Sequence, residues 1–408
     1  MPGIDPARLF GDLRTLARIG RQPSGGLCRR AFSPEYGDAA RWLVERMVQA
    51  GLAARIDAVG NVVGRLGPPQ APALVSGSHI DTVPDGGWLD GAYGVLAALE
   101  CARALRETNA SLRHGFEVMA LVDEEGAYSS LLGSRAITGA VSREEIATAR
   151  DLNGIALEAA MRQRGLDPER FAEARRPPSD FLAYVELHIE QGPVLEQRGI
   201  EIGVVEGIVG ILVVEYQFTG SADHAGTTPI EMRRDALRCA AEFISESYAQ
   251  LPLPSRRDLR FTFGAIEVLP GASNVVPRSA RVIQEIRSLD AGAIEELFDA
   301  SRKIAEGAAA KLHIHLATRR VSHTAPATMD EGVMAAVEAA CAEARVSCAR
   351  MPSGAGHDAQ SFARCCPAGM IFVPSQRGAS HRPDEQTAEA DLARGADILL
   401  RTVLELVA

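Results

Sequence analysis

Apolar positions change period several times along the first third of the chain. Residues 33–50 (SPEYGDAARWLVERMVQA) carry apolar side chains at helical spacing, with Ser33–Pro34 as a start signal and Gly51 as a stop. Short apolar runs follow at 61–66 (NVVGRL), 73–78 (ALVSGS) and 116–122 (FEVMALV), and a second helical segment, GVLAALECARAL, fills 94–105. The runs are continuously apolar, as in strands buried on both faces, so the β–α–β order predicts an α/β sheet covered by helices. His79, Asp81 and Asp90 fall just after one such strand and Glu124–Glu125 just after the next. Ligand sites in open α/β sheets gather at those carboxyl ends.

Near residue 210 the pattern becomes partly alternating. Strands are expected at 211–219, 259–268, 280–287 and 312–321, with long helices at 230–250 and 291–311 between them. Four strands and two helices make a compact α+β module over 211–326. Helical spacing returns from Met329, and an apolar strand, GMIFVP at 369–374, leads to His381. The module therefore interrupts a first domain built from 1–210 and 327–408. No internal repeat or low-complexity segment is present.

With 408 residues, 46% of them apolar, the chain can bury a large core divided among two or three domains. A net charge of −10 and the absence of any lysine-rich run argue against nucleic acid or an anionic membrane as partner. No 18-residue apolar stretch can cross a bilayer, and the start, MPGIDPARLF, lacks a signal-peptide pattern, so a cytoplasmic location is expected. Seven cysteines (28, 101, 239, 341, 348, 365 and 366) form no CxxC pair and read as reduced thiols. The vicinal pair Cys365–Cys366 suggests redox chemistry but is read as buried, inert thiols.

Five residues on five segments suit a pair of divalent metals: His79 in GSHIDTV, Asp90 in GGWLDGAYG, Glu125 in VDEEGA, His188 in ELHIEQG and His381 in ASHRPDE. Imidazole nitrogen and carboxylate oxygen fit Zn²⁺, Mn²⁺, Co²⁺ or Ni²⁺, and one carboxylate can bridge two ions roughly 3.5–4 Å apart. Glu124 is then left free as a base. The alternative for Glu124–Glu125 is a solvated acidic turn, the commoner fate of charged pairs.

The segments at 77–100 (GSHIDTVPDGGWLDGAYGVLAALE), 124–139 (EEG, then LGSRAITG), 186–196 (ELHIEQGPVLE), 220–236 (GSADHAGTTPIEMRRDA), 272–277 (ASNVVP), 353–360 (SGAGHDAQ) and 373–385 (VPSQRGASHRPDE) cover nearly the whole chain. In this order they resemble the amidase, hydantoinase and carbamoylase branch of the co-catalytic metallopeptidase family. That branch includes N-carbamoyl-L-amino acid amidohydrolases, β-ureidopropionases and allantoate or ureidoglycolate amidohydrolases. The resemblance implies an aminopeptidase-like, mixed-sheet catalytic domain at 1–210 and 327–408, with 211–326 as an inserted lid and homodimer contact. It also implies two divalent ions per subunit, one held by His79, Asp90 and His188, the other by Asp90, Glu125 and His381. Asp81 would orient His79, since a metal-bound imidazole commonly passes its other N–H to a carboxylate.

By the same resemblance Glu124 is the general base and acid. A water bridging two divalent ions is acidic near neutral pH, and a neighbouring carboxylate can move its proton to the leaving nitrogen. His224 matches the oxyanion donor that often acts across a dimer; taken alone it reads as a turn histidine bonded to nearby backbone. Asn274 and Arg287 match groups that hold the substrate's amide and carboxylate ends, although Arg287 can instead pair with Glu285 on its own strand. Gln191 and His357 match residues lining the pocket, with Asp358 as partner to His357 or as a helix cap. His114, His313 and His315 match no motif and are expected to be structural or exposed.

Two segments depart from the family pattern beside the metals. AYSSLLGSR follows EEG where an arginine and an aromatic residue are usual, and Trp88–Leu89 precedes Asp90. Three readings remain: an amidohydrolase acting on a small ureido acid, a metallo-aminopeptidase or dipeptidase with the same site, and a non-catalytic binding protein that has kept the fold. His188, Gln191 and Arg287 favour the first over the second, and the complete ligand set disfavours the third.

Overall fold

The computed structural model describes residues 3–107, 112–251 and 258–407. Contacts divide the chain into two compact units, 1–206 with 328–408 and 207–327.

The first unit is organised by a mixed sheet. Its strands are β1 (Ala53–Ile56), β2 (Val62–Leu66), β3 (Ala73–His79), β4 (Gly115–Leu121), β5 (Phe181–Ile189) and β6 (Ile202–Ile208). The second unit supplies β7 (Gly210–Thr219), β8 (Arg260–Leu269), β9 (Ser279–Ser288) and β10 (His315–Thr324); β11 (Ala327–Thr328), β12 (Cys348–Ser353) and β13 (Ala368–Val373) then complete the first sheet. The order is β1-β2-β4-β3-β5-β13-β6-β11, with β12 beside β6. Four adjacent strands, β4, β3, β5 and β13, run parallel. Their carboxyl ends therefore lie along one edge, and the segments bearing His79, Glu124, His188 and His381 all leave the sheet there.

The helix Ala92–Glu107 is buried at every position from Ala92 to Leu105. It packs on β3, β4 and β5 and is covered by the helices Pro6–Leu16 and Glu389–Val407. A helix buried on all sides is what a position between sheet and outer helices requires, and its two buried charges, Glu100 and Arg103, are ion-paired to each other and to Arg8 and Asp12. Gly94 sets its closeness to the sheet, because a Cβ there would lie 2.1 Å from the Leu187 carbonyl oxygen. The helix start, with Asp90 just before it, is thereby held beside the end of β5.

In the second unit the strand order is β10-β7-β9-β8, antiparallel throughout. Period-two alternation turns Leu212, Val214, Tyr216 and Phe218 of β7, with Ala280, Val282 and Ile286 of β9, to one face, where Phe243 and Ile294 of two helices meet them. Buried Gln284 is satisfied by accepting from the Tyr216 hydroxyl (3.0 Å) and donating to Ser301 (3.0 Å).

Two element starts lie three or more residues from expectation. The helix expected at 230–250 spans Ala236–Gln250, because Asp235 caps it by accepting from the Arg238 amide, while 230–232 form only a 3₁₀ turn. The strand expected at 312–321 begins at His315, because Leu312 closes the preceding helix and His313 adopts a left-handed conformation. His313 and His315 are exposed, and His114 is half-buried in the turn before β4.

Candidate metal centre

Asp90 is the geometric centre of the site. Its Oδ1 faces two imidazoles, with His188 Nε2 at 3.1 Å and His79 Nε2 at 3.4 Å. Its Oδ2 faces a third, His381 Nε2 at 3.2 Å. Glu124 Oε2 lies 3.6 Å from His79 Nε2, and Glu125 Oε1 lies 3.6 Å from His381 Nε2. Two groups of candidate ligands, His79–Asp90–His188 and Asp90–Glu125–His381, thus share one carboxylate and point a different oxygen of it at each. Glu124 is buried, so its placement is not that of a solvated turn.

Local backbone explains the convergence. Gly91 adopts φ +62°, and a Cβ there would sit about on the His79 ring, at 2.4 Å from Cδ2, so the residue after Asp90 must be glycine. Gln191 and His381 are held at φ 58° and φ 59°, a conformation costly for side-chain-bearing residues and commonest at functional sites. The His79 Nδ1 lies 3.0 Å from the Asp81 carbonyl and 3.9 Å from its carboxylate, while Asp81 Oδ2 accepts from the Glu125 amide at 3.2 Å. His188 Nδ1 lies 2.8 Å from the Ile189 carbonyl, which leaves Nε2 to face Asp90. In both histidines the backbone carbonyl is the closer partner and sets which nitrogen faces inward.

The electrostatics follow from crowding. Burial pushes the Asp90 carboxyl up, but contacts with His188, His381 and His79 outweigh it and hold the group well below the ordinary carboxylate range. Hydrogen bonding to Asp90 raises His381 to about 9. His79 is raised well above an ordinary imidazole, because the charges of Glu124, Asp90 and Asp81 together overcome its burial. Burial and the neighbouring Asp90 charge push Glu125 to about 7, and burial drives Glu124 well above the ordinary carboxylate range, against the pull of His79. Among the described residues, the ion-pair partners of Asp90, Glu124 and Glu125 are imidazoles only. Three carboxylates and three imidazoles packed together, with no lysine or arginine ion-paired to the carboxylates among the described residues, are a donor set suited to divalent cations.

The remaining predicted residues are placed as follows. The Gln191 side chain donates to Asp90 Oδ2 (2.9 Å) and Ser380 Oγ (3.2 Å). His357 is fully buried, edge-on to His188 with ring centroids 4.6 Å apart, and burial keeps it well below an ordinary imidazole. Asp358 occupies the start of the short helix Ala359–Phe362 without a side-chain capping bond. In the second unit, His224 and Asn274 come together: Ala225 donates to the Asn274 carbonyl at 3.0 Å, and the exposed His224 accepts from the Gly226 amide at 3.1 Å through Nδ1. Arg287 Nε donates to Glu285 Oε1 at 2.7 Å.

The atypical segments have local partners. Trp88 donates from Nε1 to the Glu385 carbonyl at 3.2 Å. The Asp123 carboxylate accepts from the Tyr128 amide at 3.1 Å and the Ser129 amide at 2.8 Å, folding the segment after Glu125 back under the strand end. Three residues at the site were missed by sequence reasoning. Buried Arg29 donates to the Ile80 carbonyl at 2.6 Å beneath the His79–Asp81 turn, and Ser380 and Glu385 touch the Asp90 region. A serine and an acid flanking His381 in ASHRPDE were the available signal for the last two.

A parallel-centred mixed sheet with this donor cluster at its carboxyl edge defines a metal-dependent hydrolase. The chain belongs to Peptidase family M20/M25/M40, whose sequence profile it matches over residues 75–405. It is 40% identical over 409 residues to an N-carbamoyl-L-amino acid amidohydrolase of Geobacillus stearothermophilus, covering 99% of both chains. It is 37% identical to an allantoate amidohydrolase of Bacillus subtilis (strain 168), over 96% of this chain and 94% of that one. The solved structure of an amidase of the hydantoinase/carbamoylase family from Burkholderia phymatum superimposes with a TM-score of 0.89 at 37% identity, covering 100% of this chain and 98% of that one.

Proposed function

We propose that the protein hydrolyses the carbamoyl C–N bond of a small ureido acid, an N-carbamoyl-L-amino acid or a relative such as allantoate. The single observation that carries this reading is the shared carboxylate of Asp90 between two groups of ligands, with Glu124 beside one of them. His79, Asp90 and His188 would hold one ion and Asp90, Glu125 and His381 the other. Two ions of Zn²⁺, Mn²⁺, Co²⁺ or Ni²⁺ supply Lewis acidity that acidifies a water and polarises the ureido carbonyl.

The chain's own groups do the rest. Glu124 takes a proton from the attacking water and delivers it to the leaving nitrogen, so the amine departs neutral and no covalent enzyme intermediate forms. With a carbamoyl amino acid the other product breaks down to ammonia and carbon dioxide. Asp81 orients His79 through its backbone carbonyl rather than the carboxylate expected from the sequence, and Gln191 and His357 line the reacting end. Arg287 takes the substrate carboxylate in competition with Glu285, Asn274 takes an amide, and His224 donates to the developing oxyanion.

For the second unit we propose the role of lid and dimer contact. Support comes from its two connections to the first unit, near 206–207 and 327–328, and from edge strands β8 and β10 with no outer strand neighbour among the described residues. Ile266 and Leu269 of β8 are exposed apolar residues on such an edge. If His224 acts across the dimer, mixing inactive His224→Ala and Glu124→Gln chains restores part of the activity in heterodimers; a fully active monomer would sink that arrangement. We place the protein in the cytoplasm, in line with seven free cysteines and with no helix among the described residues long and apolar enough to cross a membrane.

Turnover of carbamoyl amino acids, allantoate, ureidoglycolate and a dipeptide after reconstitution with each metal tests the activity. Cleavage of the dipeptide alone would favour the aminopeptidase reading, and purified protein that takes up no metal would favour a binding protein. Ion uptake is also pH-dependent. An imidazole must be neutral to coordinate, and His381 keeps its proton up to about pH 9 in the chain alone. Uptake at pH 7.5 therefore releases protons, and apparent affinity rises with pH between 6 and 9. Titration calorimetry in buffers of different ionisation enthalpy reads that release; affinity independent of pH between 6 and 9 would remove His381 from the ligand set.

A further inference from the structure

One segment, the turn after β13, grips Asp90 from both ends. His381 and Ser380 face its carboxylate, with Ser380 Oγ 3.0 Å from Oδ2. Glu385, four residues on, holds its backbone: Oε1 accepts from the Leu89 amide at 2.8 Å and the Asp90 amide at 3.1 Å. Its other oxygen, Oε2, lies 3.2 Å from the Ser380 hydroxyl. That hydroxyl has one proton and two carboxylates within reach, so the pair of backbone amides is the stronger hold on Glu385.

The turn before Asp90 is shaped around this carboxylate. A Cβ on Gly87 would lie 2.1 Å from Glu385 Oε1, and Trp88 donates to the Glu385 carbonyl. Glu385 itself is fully buried, and among the described residues it forms no ion pair. A buried carboxylate without a cation is costly, and hydrogen bonds to charged acceptors are what make it tolerable.

We infer that Glu385 is a positioning residue for Asp90, fixing the orientation of the carboxylate that both ion sites share. The inference rests on the two-ion reading above. Its mechanism is reach rather than charge: two amides of the 87–90 turn and one hydroxyl must be met by one side chain of this length. Coupling through a ligand's own backbone is the kind of outer contact that tunes metal affinity by about 10–100-fold.

The test compares Glu385→Gln with Glu385→Asp in the full-length protein. Gln keeps the length and one carbonyl oxygen for the two amides; Asp keeps the charge but withdraws it by one methylene. Chelator-stripped proteins are dialysed against graded free Mn²⁺ and the bound equivalents counted by mass spectrometry of the metal. The Asp variant is expected to bind both equivalents about tenfold or more weaker, with kcat reduced and KM within about threefold, while the Gln variant stays within about threefold of wild type. Ser380→Ala should shift uptake in the same direction by less. Wild-type ion affinity in Glu385→Asp, or a Gln variant weaker than the Asp variant, would overturn the positioning role. A merely structural role would lower the melting temperature of the stripped protein and leave ion affinity unchanged. Wild-type protein that binds no Mn²⁺ would overturn the two-ion reading itself, a distinguishable outcome.

Discussion

Glu124→Gln is expected to lower kcat by about 10²–10⁴-fold while two ions stay bound, the range typical of a positioned acid–base group. The side chain is buried at the end of β4, 3.6 Å from the His79 imidazole, and belongs to neither of the two ligand groups that share Asp90. Its burial drives the carboxyl well above the ordinary range, against the pull of His79. Glutamine keeps the shape and one acceptor oxygen but cannot take a proton. The loss should therefore fall on kcat, with KM little changed and with unaltered metal content. Metal analysis alongside steady-state kinetics decides the point: near-wild-type turnover at full occupancy would remove Glu124 from the mechanism, and a variant empty of metal would make it a ligand.

Much of this arrangement is legible in the sequence, for reasons that differ by element. Strands β3 and β4 are read as strands because both faces are covered and their runs are continuously apolar. Strand β5 escapes the same reading. It buries Glu186, which accepts from Ser78 at 2.7 Å and the Ala359 amide at 2.9 Å, beside His188, and such satisfied polar groups break an apolar run without breaking the strand. In the second unit the four alternating strands are apparent, but Asp235 outweighs the apolar spacing from Ile230 and starts the helix six residues late. The metal ligands are visible as residue types in motifs. The hold of Glu385 on Asp90 spans 295 positions of chain and becomes visible only when the turns fold together.

Asp90→Ala is expected to empty both ion positions and abolish turnover, whereas His381→Ala should mainly empty one. Each oxygen of Asp90 faces a different set of imidazoles, Oδ1 toward His79 and His188 and Oδ2 toward His381, so its loss removes a donor from both groups at once. Alanine also leaves two buried imidazoles facing each other without the carboxylate that holds them in place. His381, by contrast, is half-exposed, and among the described residues its ion-pair partners are Asp90 Oδ2 and Glu125, so its removal spares the His79–Asp90–His188 group. Counting bound Mn²⁺ per chain in the two variants separates the cases: below half an equivalent for Asp90→Ala against about one for His381→Ala. Loss of a single equivalent in both would make Asp90 a terminal ligand, and the two-ion chemistry would then need another carboxylate, with Glu125 the nearest candidate, to span the pair.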